Sequence, residues 1–132
     1  MKKLILYSVL LTALLFAACK KNTDKPSSPV LQGKWGIVNE AVLDVENGTT
    51  VYTDNYTGVA ADYIDFRSDN KVYSLVDGGM DTSAYKMLSN NRVLIDIDTL
   101  DILSLTASAA NLHSKVYTGV NSYEELTVNL KR

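Results

Sequence analysis

Only one cysteine, Cys19, occurs in the 132 residues, so the chain has no partner thiol for an internal disulfide and no set of thiolates for a metal cluster. Histidine is as scarce. The single one, His113, lies in Leu112-His113-Ser114-Lys115-Val116, where alternation puts it on the face of Lys115, which is a solvent position. No nucleophile-elbow pattern accompanies it, and we assign no catalytic residue and expect no enzyme. Two acidic runs, Asp77-Gly78-Gly79-Met80-Asp81 and Asp96-Ile97-Asp98-Thr99-Leu100-Asp101, lack the spacing and closing glutamate of an EF-hand loop. Turns and wet strand faces account for both, so no metal site and no cofactor are assigned. Proline is absent after Pro29, and no sustained 3.6-residue periodicity appears beyond residue 18, which argues against a large crossover helix.

What is present begins with the amino terminus. Met1-Lys2-Lys3 is followed by an almost uninterrupted apolar run from Leu4 to Ala18, and then by Cys19. A positive start, an apolar stretch of this length and small residues at its end make a secretory signal peptide over residues 1–18; the run is short for a membrane span. Residues 19–30 follow as Cys19 and a polar, proline-bearing segment with little to bury, expected to act as a flexible tether. Loss of Lys2 and Lys3 from the 13 basic residues leaves 11 against 15 acidic ones, a formal charge of −4 for the mature chain. Such a balance does not attract nucleic acid. The segment Leu15-Phe16-Ala17-Ala18-Cys19 resembles the lipobox of bacterial lipoproteins. That resemblance implies lipidation of Cys19 and a membrane partner reached through the lipid. It also implies residence in the outer membrane, with the periplasmic face favoured because the tether lacks an acidic cluster.

Residues 31–132 suffice for one domain with one core. β-Branched and aromatic residues recur in short runs, which predicts strands near 32–46, 50–58, 60–67, 71–77, 82–88, 92–98, 101–106, 110–117 and 123–131. Between them, Asn47-Gly48, Ser68-Asp69-Asn70, Asp77-Gly78-Gly79, Ser89-Asn90-Asn91 and Gly119-Val120-Asn121-Ser122 supply residues suited to tight turns. Alternation then sets the faces. Val93, Ile95 and Ile97 fall opposite Asp96 and Asp98, Ile64 and Phe66 opposite Asp65 and Arg67, and Leu126, Val128 and Leu130 opposite Thr127, Asn129 and Lys131. A meander of eight or nine strands with one dry face loses its edges most simply by closing on itself. The expected fold is therefore all-β, a small antiparallel up-and-down barrel.

Leu31-Gln32-Gly33-Lys34-Trp35 opens the first strand, and Leu130-Lys131-Arg132 ends the chain. The first has the Gly-x-Trp signature of lipocalin-like barrels, in which a terminal basic residue covers the tryptophan. The stretch from Asp62 to Tyr73 is similar to the hairpin of lipocalin-like lipoproteins of Bacteroidetes. The resemblance covers nearly all of residues 31–132 and implies a barrel closed at one end by Gly33, Trp35 and Arg132. It also implies a small apolar or amphiphilic ligand, lined by residues drawn from Ile64, Phe66, Val93, Ile95, Ile97, Leu126 and Val128. The domain is shorter than a typical ligand-carrying lipocalin, which keeps a second reading open: a filled barrel that serves the envelope through its outer face. Tyrosines enter both readings, since they line amphiphile pockets and also form outer cross-strand pairs. Tyr63, Tyr73 and Tyr85, on consecutive predicted strands, are expected to form one surface patch.

Overall fold

The computed structural model describes residues 30–132. The signal peptide over 1–18, Cys19 and most of the tether lie outside the described residues. Nine strands follow in chain order: β1 (Gly33–Glu46), β2 (Thr49–Thr57), β3 (Tyr63–Phe66), β4 (Lys71–Val76), β5 (Gly79–Ser89), β6 (Arg92–Ile95), β7 (Asp98–Leu105), β8 (Ala109–Gly119) and β9 (Ser122–Lys131). All pairings are antiparallel. From β3 to β9 each strand pairs with the next, and β1 joins β9 along Gly36–Val45, closing a barrel of eight strands.

Strand β2 is the exception, and the length of β1 explains it. Over Gly33–Gly36 the free edge of β1 pairs with β3, whereas over Asn39–Glu46 the same edge pairs with β2. β2 therefore extends one wall of the barrel rather than entering the cycle. The changeover occurs at Gly58, whose N–H donates to the Val38 carbonyl at 3.0 Å. A Cβ there would lie 2.2 Å from the Ile37 carbonyl oxygen, so this crossing admits only glycine. Opposite β9 the register slips between Ile37 and Asn39, leaving Val38 as a bulge.

Turn chemistry fixes the hairpins. Asn47-Gly48 and Asp77-Gly78 both take positive φ at each residue (50° and 79°, 48° and 76°), the conformation that suits the twist of two-residue hairpins. The β6 to β7 turn departs from expectation. Strand β6 stops at Ile95, Asp96 takes φ 51°, and Ile95 pairs with Asp98 across the turn. The predicted strand over 92–98 ran through a turn made without glycine, which an aspartate permits because its short side chain tolerates the left-handed region.

The core is one cluster along the barrel axis. Trp35, Phe66, Ile37, Leu112, Leu130 and Val93 are its largest fully enclosed side chains, joined by Leu31, Val72, Leu100, Ile102, Ala110 and Val128. On the strands of the closed cycle the inward residues alternate with residues facing water, as a single closed sheet requires, whereas β2, outside the cycle, is exposed along nearly its whole length.

Candidate functional site

One end of the barrel is shut by Trp35. Its indole is fully buried, and Nε1–H donates to the Leu31 carbonyl at 2.7 Å. The Arg132 guanidinium lies over the ring with its carbon 3.9 Å from the centroid, while its Nη2 donates to the Gln32 and Val30 carbonyls. The Arg132 N–H donates to the Ser108 carbonyl at 3.0 Å, tying the carboxyl terminus to the β7–β8 turn. Gly33 adopts φ 119°, and a Cβ there would stand 3.0 Å from the Arg132 guanidinium. Cation, ring and glycine thus make one interlocked plug.

The middle of the barrel is filled. Phe66, Val93 and Val128 are buried, and Ile64, Ile95 and Leu126 pack half-buried against them, so these six occupy one another's space. Ile97 is a correction to the expected lining. It is 91 % exposed at the tip of the β6–β7 turn, because the left-handed Asp96 breaks the alternation that would have pointed it inward.

Open space remains at the two ends. Beside the plug lies a cleft of about 690 Å³ lined by Val30, Leu31, Gln32, Tyr85, Met87, Leu88, Ser89, Asn90 and Leu105. Tyr85 contributes its ring, packed edge-on against Phe66 at 5.2 Å between centroids, and its hydroxyl donates to the Arg67 carbonyl at 2.9 Å. Burial raises its phenol pKa above the ordinary range, with Asp69 and Asp65 adding to the effect. The expected tyrosine patch therefore splits. Tyr85 turns inward, in phase with Ser83 and Met87, whereas Tyr63 and Tyr73 lie outside under Lys34 and Arg67, 3.7 and 4.0 Å from their rings.

At the opposite mouth a smaller cavity of about 250 Å³ is bounded by Glu40, Val42, Asp98, Leu100, Ser114, Val116, Glu124, Glu125 and Leu126. Burial lifts the Glu40 carboxyl above its ordinary pKa, and the nearby charge of Asp54 lifts it further. Glu125 sends its carboxylate elsewhere: Oε1 meets His113 Nε2 at 2.9 Å and Oε2 meets Lys115 Nζ at 3.1 Å on the outer face. These two partners hold the Glu125 pKa low, His113 contributing most. His113 thus faces outward with Lys115, and no buried serine joins them. Among the described residues no group of three or more histidines and carboxylates is placed to hold a metal ion.

A further polar node positions the wall between the two ends. Asp62, 3 % exposed, accepts from the Tyr56 hydroxyl, from the Val59 N–H at 2.7 Å and from the Asp77 N–H at 3.2 Å. The Tyr56 bond, then the Val59 amide, hold its pKa below the usual carboxylate range. Nothing in the sequence pattern marked Asp62, Glu40 or Ser114. The one available signal was on β5, where Ser83, Tyr85 and Met87 share a phase that a search for strong alternation passes over.

No family model matches the chain, and no curated protein matches it. Among solved structures the chain is similar to the bovine lipocalin allergen Bos d 2, at 16 % identity and a TM-score of 0.44, over 76 % of this chain and 71 % of that one. The assignment of an eight-stranded closed barrel rests on the strand order and register given above.

Proposed function

We propose that the protein is a non-catalytic envelope lipoprotein, anchored in the outer membrane through lipid on Cys19, whose barrel binds a small amphiphilic molecule. The observation that carries the binding reading is the cleft of about 690 Å³ beside the Trp35 plug, where Leu31, Tyr85, Met87 and Leu105 offer an apolar surface. This volume lies within the range of small-molecule sites, and a few polar groups at Gln32, Ser89 and Asn90 suit an amphiphile's wet end. A guest that loses about 150 Å² of apolar surface there gains ~4 kcal/mol before the cost of association. Val30, at the cleft's edge, is joined to Cys19 by a segment that spans at most about 40 Å when fully extended, so the cleft stays within reach of the lipid surface.

The filled middle favours the second reading, in which the barrel acts only through its outer face. Two experiments separate them. Uptake of N-phenyl-1-naphthylamine by the full-length protein, with Met87→Lys abolishing it and leaving the melting temperature unchanged, supports the cleft. Absence of any uptake by the parent, together with no co-purifying molecule in native mass spectrometry, supports the outer-face reading. Membrane fractionation of Cys19→Ser tests the anchor: release of the variant into the soluble fraction is the expected result, and full retention refutes lipid anchoring.

A further inference from the structure

Charge is segregated along the barrel axis. Among the described lysines and arginines only Lys115 lies toward the open end; Lys34, Arg67, Lys71, Lys86, Arg92, Lys131 and Arg132 stand in the strand halves or turns nearest the Trp35 plug. Acidic residues are distributed the other way. Glu46, Asp77, Asp96 and Glu124 each stand at or near a turn of the open end, whereas the acids near the plug are Asp65, Asp69 and Asp101, two of them held by Arg67 and Arg92.

Three of the plug-end cations meet on one outer wall. Register aligns Lys131 on β9, Gly36 on β1 and Tyr63 on β3 in a single row. With no side chain at Gly36, the Lys131 stem lies across β1, its Cγ and Cε each 3.8 Å from the position a Gly36 Cβ would take. Lys34 Nζ stands 3.7 Å from the centre of the Tyr63 ring, and Arg132, held over Trp35, borders the same groove. None of the three forms an ion pair among the described residues, whose salt bridges engage Arg67, Arg92, His113 and Lys115. Asp62 also borders the groove, but its carboxylate is occupied by Tyr56, Val59 and Asp77. Lys34, Lys131 and Arg132 are all exposed, as contact with a broad surface requires.

The chain supplies the direction of that surface. Val30, whose carbonyl accepts from Arg132 Nη2, is the residue through which the barrel continues to the tether and Cys19. Apolar exposure does not choose an end, since Val30, Met87 and Leu88 are exposed near the plug and Met80, Ile97 and Val120 at the open turns. Charge does. The 11 residues of β8 extend for about 36 Å, or about 28 Å along the axis at the tilt of a barrel strand. This exceeds the screening length of about 8 Å at physiological salt, so an anionic surface against the plug senses the cations and not the acids of the far end.

We propose that the plug end of the barrel docks on the phosphate headgroups of an anionic phospholipid bilayer through Lys34, Lys131 and Arg132. The choice of surface rests on the anchored reading of Cys19, whereas the docking has its own readout. Each cation at an anionic surface favours docking by about fivefold, so three shift the docked population by about a hundredfold relative to a neutral bilayer. The same orientation turns the cleft beside the plug toward the bilayer.

Lysine footprinting of the protein isolated from its own membranes and reconstituted into vesicles tests the proposal. The uncharged reagent N-acetoxysuccinimide is applied to vesicles of phosphatidylcholine alone or mixed with phosphatidylglycerol, and mass spectrometry reads acetylation lysine by lysine. Lys34 and Lys131 should react at least about fivefold more slowly on the mixed vesicles, with Lys115 unchanged. Salt at about 0.5 M, which shortens the screening length to about 4 Å, should restore their reactivity. Lys131→Gln should weaken the protection of Lys34 and Lys115→Gln should not, with thermal melting to show that each variant is folded. Equal reactivity of Lys34 and Lys131 on the two kinds of vesicle, equal protection of Lys115, or the same protection by inorganic phosphate added to phosphatidylcholine vesicles would each overturn the docking. Sedimentation with phosphatidylcholine vesicles reports the lipid anchor separately: protein that stays in solution there, yet is protected on the mixed vesicles, refutes the anchor and supports the docking.

Discussion

Replacement of Trp35 by alanine tests the architecture most directly. The indole is fully buried, receives Arg132 on its face at 3.9 Å, and satisfies the Leu31 carbonyl through a bond of 2.7 Å. Truncation of such a side chain costs about 3–5 kcal/mol in lost burial and residual cavity, and small domains hold only about 5–15 kcal/mol in total. Two further losses accompany it: the Leu31 carbonyl is left without its donor, and Arg132 loses the ring that supports it. At about 4–8 °C per kcal/mol for a domain near 100 residues, the melting temperature should fall by about 15–30 °C.

Trp35→Phe divides that loss. It keeps an aromatic face beneath the Arg132 guanidinium but removes the Nε1–H donor, so it should cost about 1–3 kcal/mol, chiefly for the unpaired Leu31 carbonyl. Urea unfolding followed by far-ultraviolet circular dichroism measures both variants with an unchanged slope if the denatured state is unaltered. A Trp35→Ala protein that melts within a few degrees of the parent would refute the plug. Equal losses in the two variants would show instead that the hydrogen bond, and not the burial, holds this end shut.

Three other outcomes follow from the geometry. The Glu40 pKa is raised in the fold above its ordinary 4.5, so the proton is held more tightly there than in the unfolded chain. Stability is then greatest below 4.5 and is lost as pH rises through the folded value; Glu40→Gln should flatten that loss and melt higher at pH 7, as read by pH-dependent calorimetry. The Asp62 pKa is lowered from 3.8, so its contribution is present above that value and disappears as pH falls through the folded one; Asp62→Asn should melt lower at pH 7, with the difference vanishing at low pH. Ile97 is 91 % exposed, and Ile97→Ser should change unfolding free energy by no more than about 0.5 kcal/mol, whereas a loss comparable to a core truncation would return it to the interior.

The fold was legible because closure leaves a strong imprint on sequence. Each turn in the β1–β2 and β4–β5 hairpins is announced by Asn47-Gly48 or Asp77-Gly78, and the dry faces of β3 and β9 alternate strictly through Ile64 and Phe66 and through Leu126, Val128 and Leu130. The failures occur where one residue breaks a period of two. Asp96 turns the chain without glycine, so Ile97 counts as inward by alternation yet sits at a tip. Tyr85 was expected outside with Tyr63 and Tyr73, because consecutive strands suggested one patch. Register places Tyr73 opposite Thr82, which leaves Tyr85 in phase with the inward Ser83.

The candidate sites were less legible than the fold, and the bulge at Val38 is the principal cause. Before it, the inward residues of β1 are odd-numbered: Trp35 and Ile37, the latter facing Leu130. After it they are even-numbered, with Glu40 facing Val128 and Val42 facing Leu126. A reading of β1 in one unbroken phase carries Trp35 and Ile37 onward to Asn39 and Ala41, and so places Glu40 in solvent. One extra residue thus turns a carboxylate toward the barrel interior, where burial works against its charge. Bulges re-aim side chains in this way near functional sites, and a carboxylate directed inward at the cost of its own hydration has no structural benefit on the apolar side of the sheet. Deleting Val38 would leave Ile37, Asn39 and Glu40 as consecutive partners of Leu130, Asn129 and Val128, so Glu40 would keep its inward place without a bulge; it is the bulge that lets β1 carry the extra residue and still hold the β1–β9 register that closes the barrel.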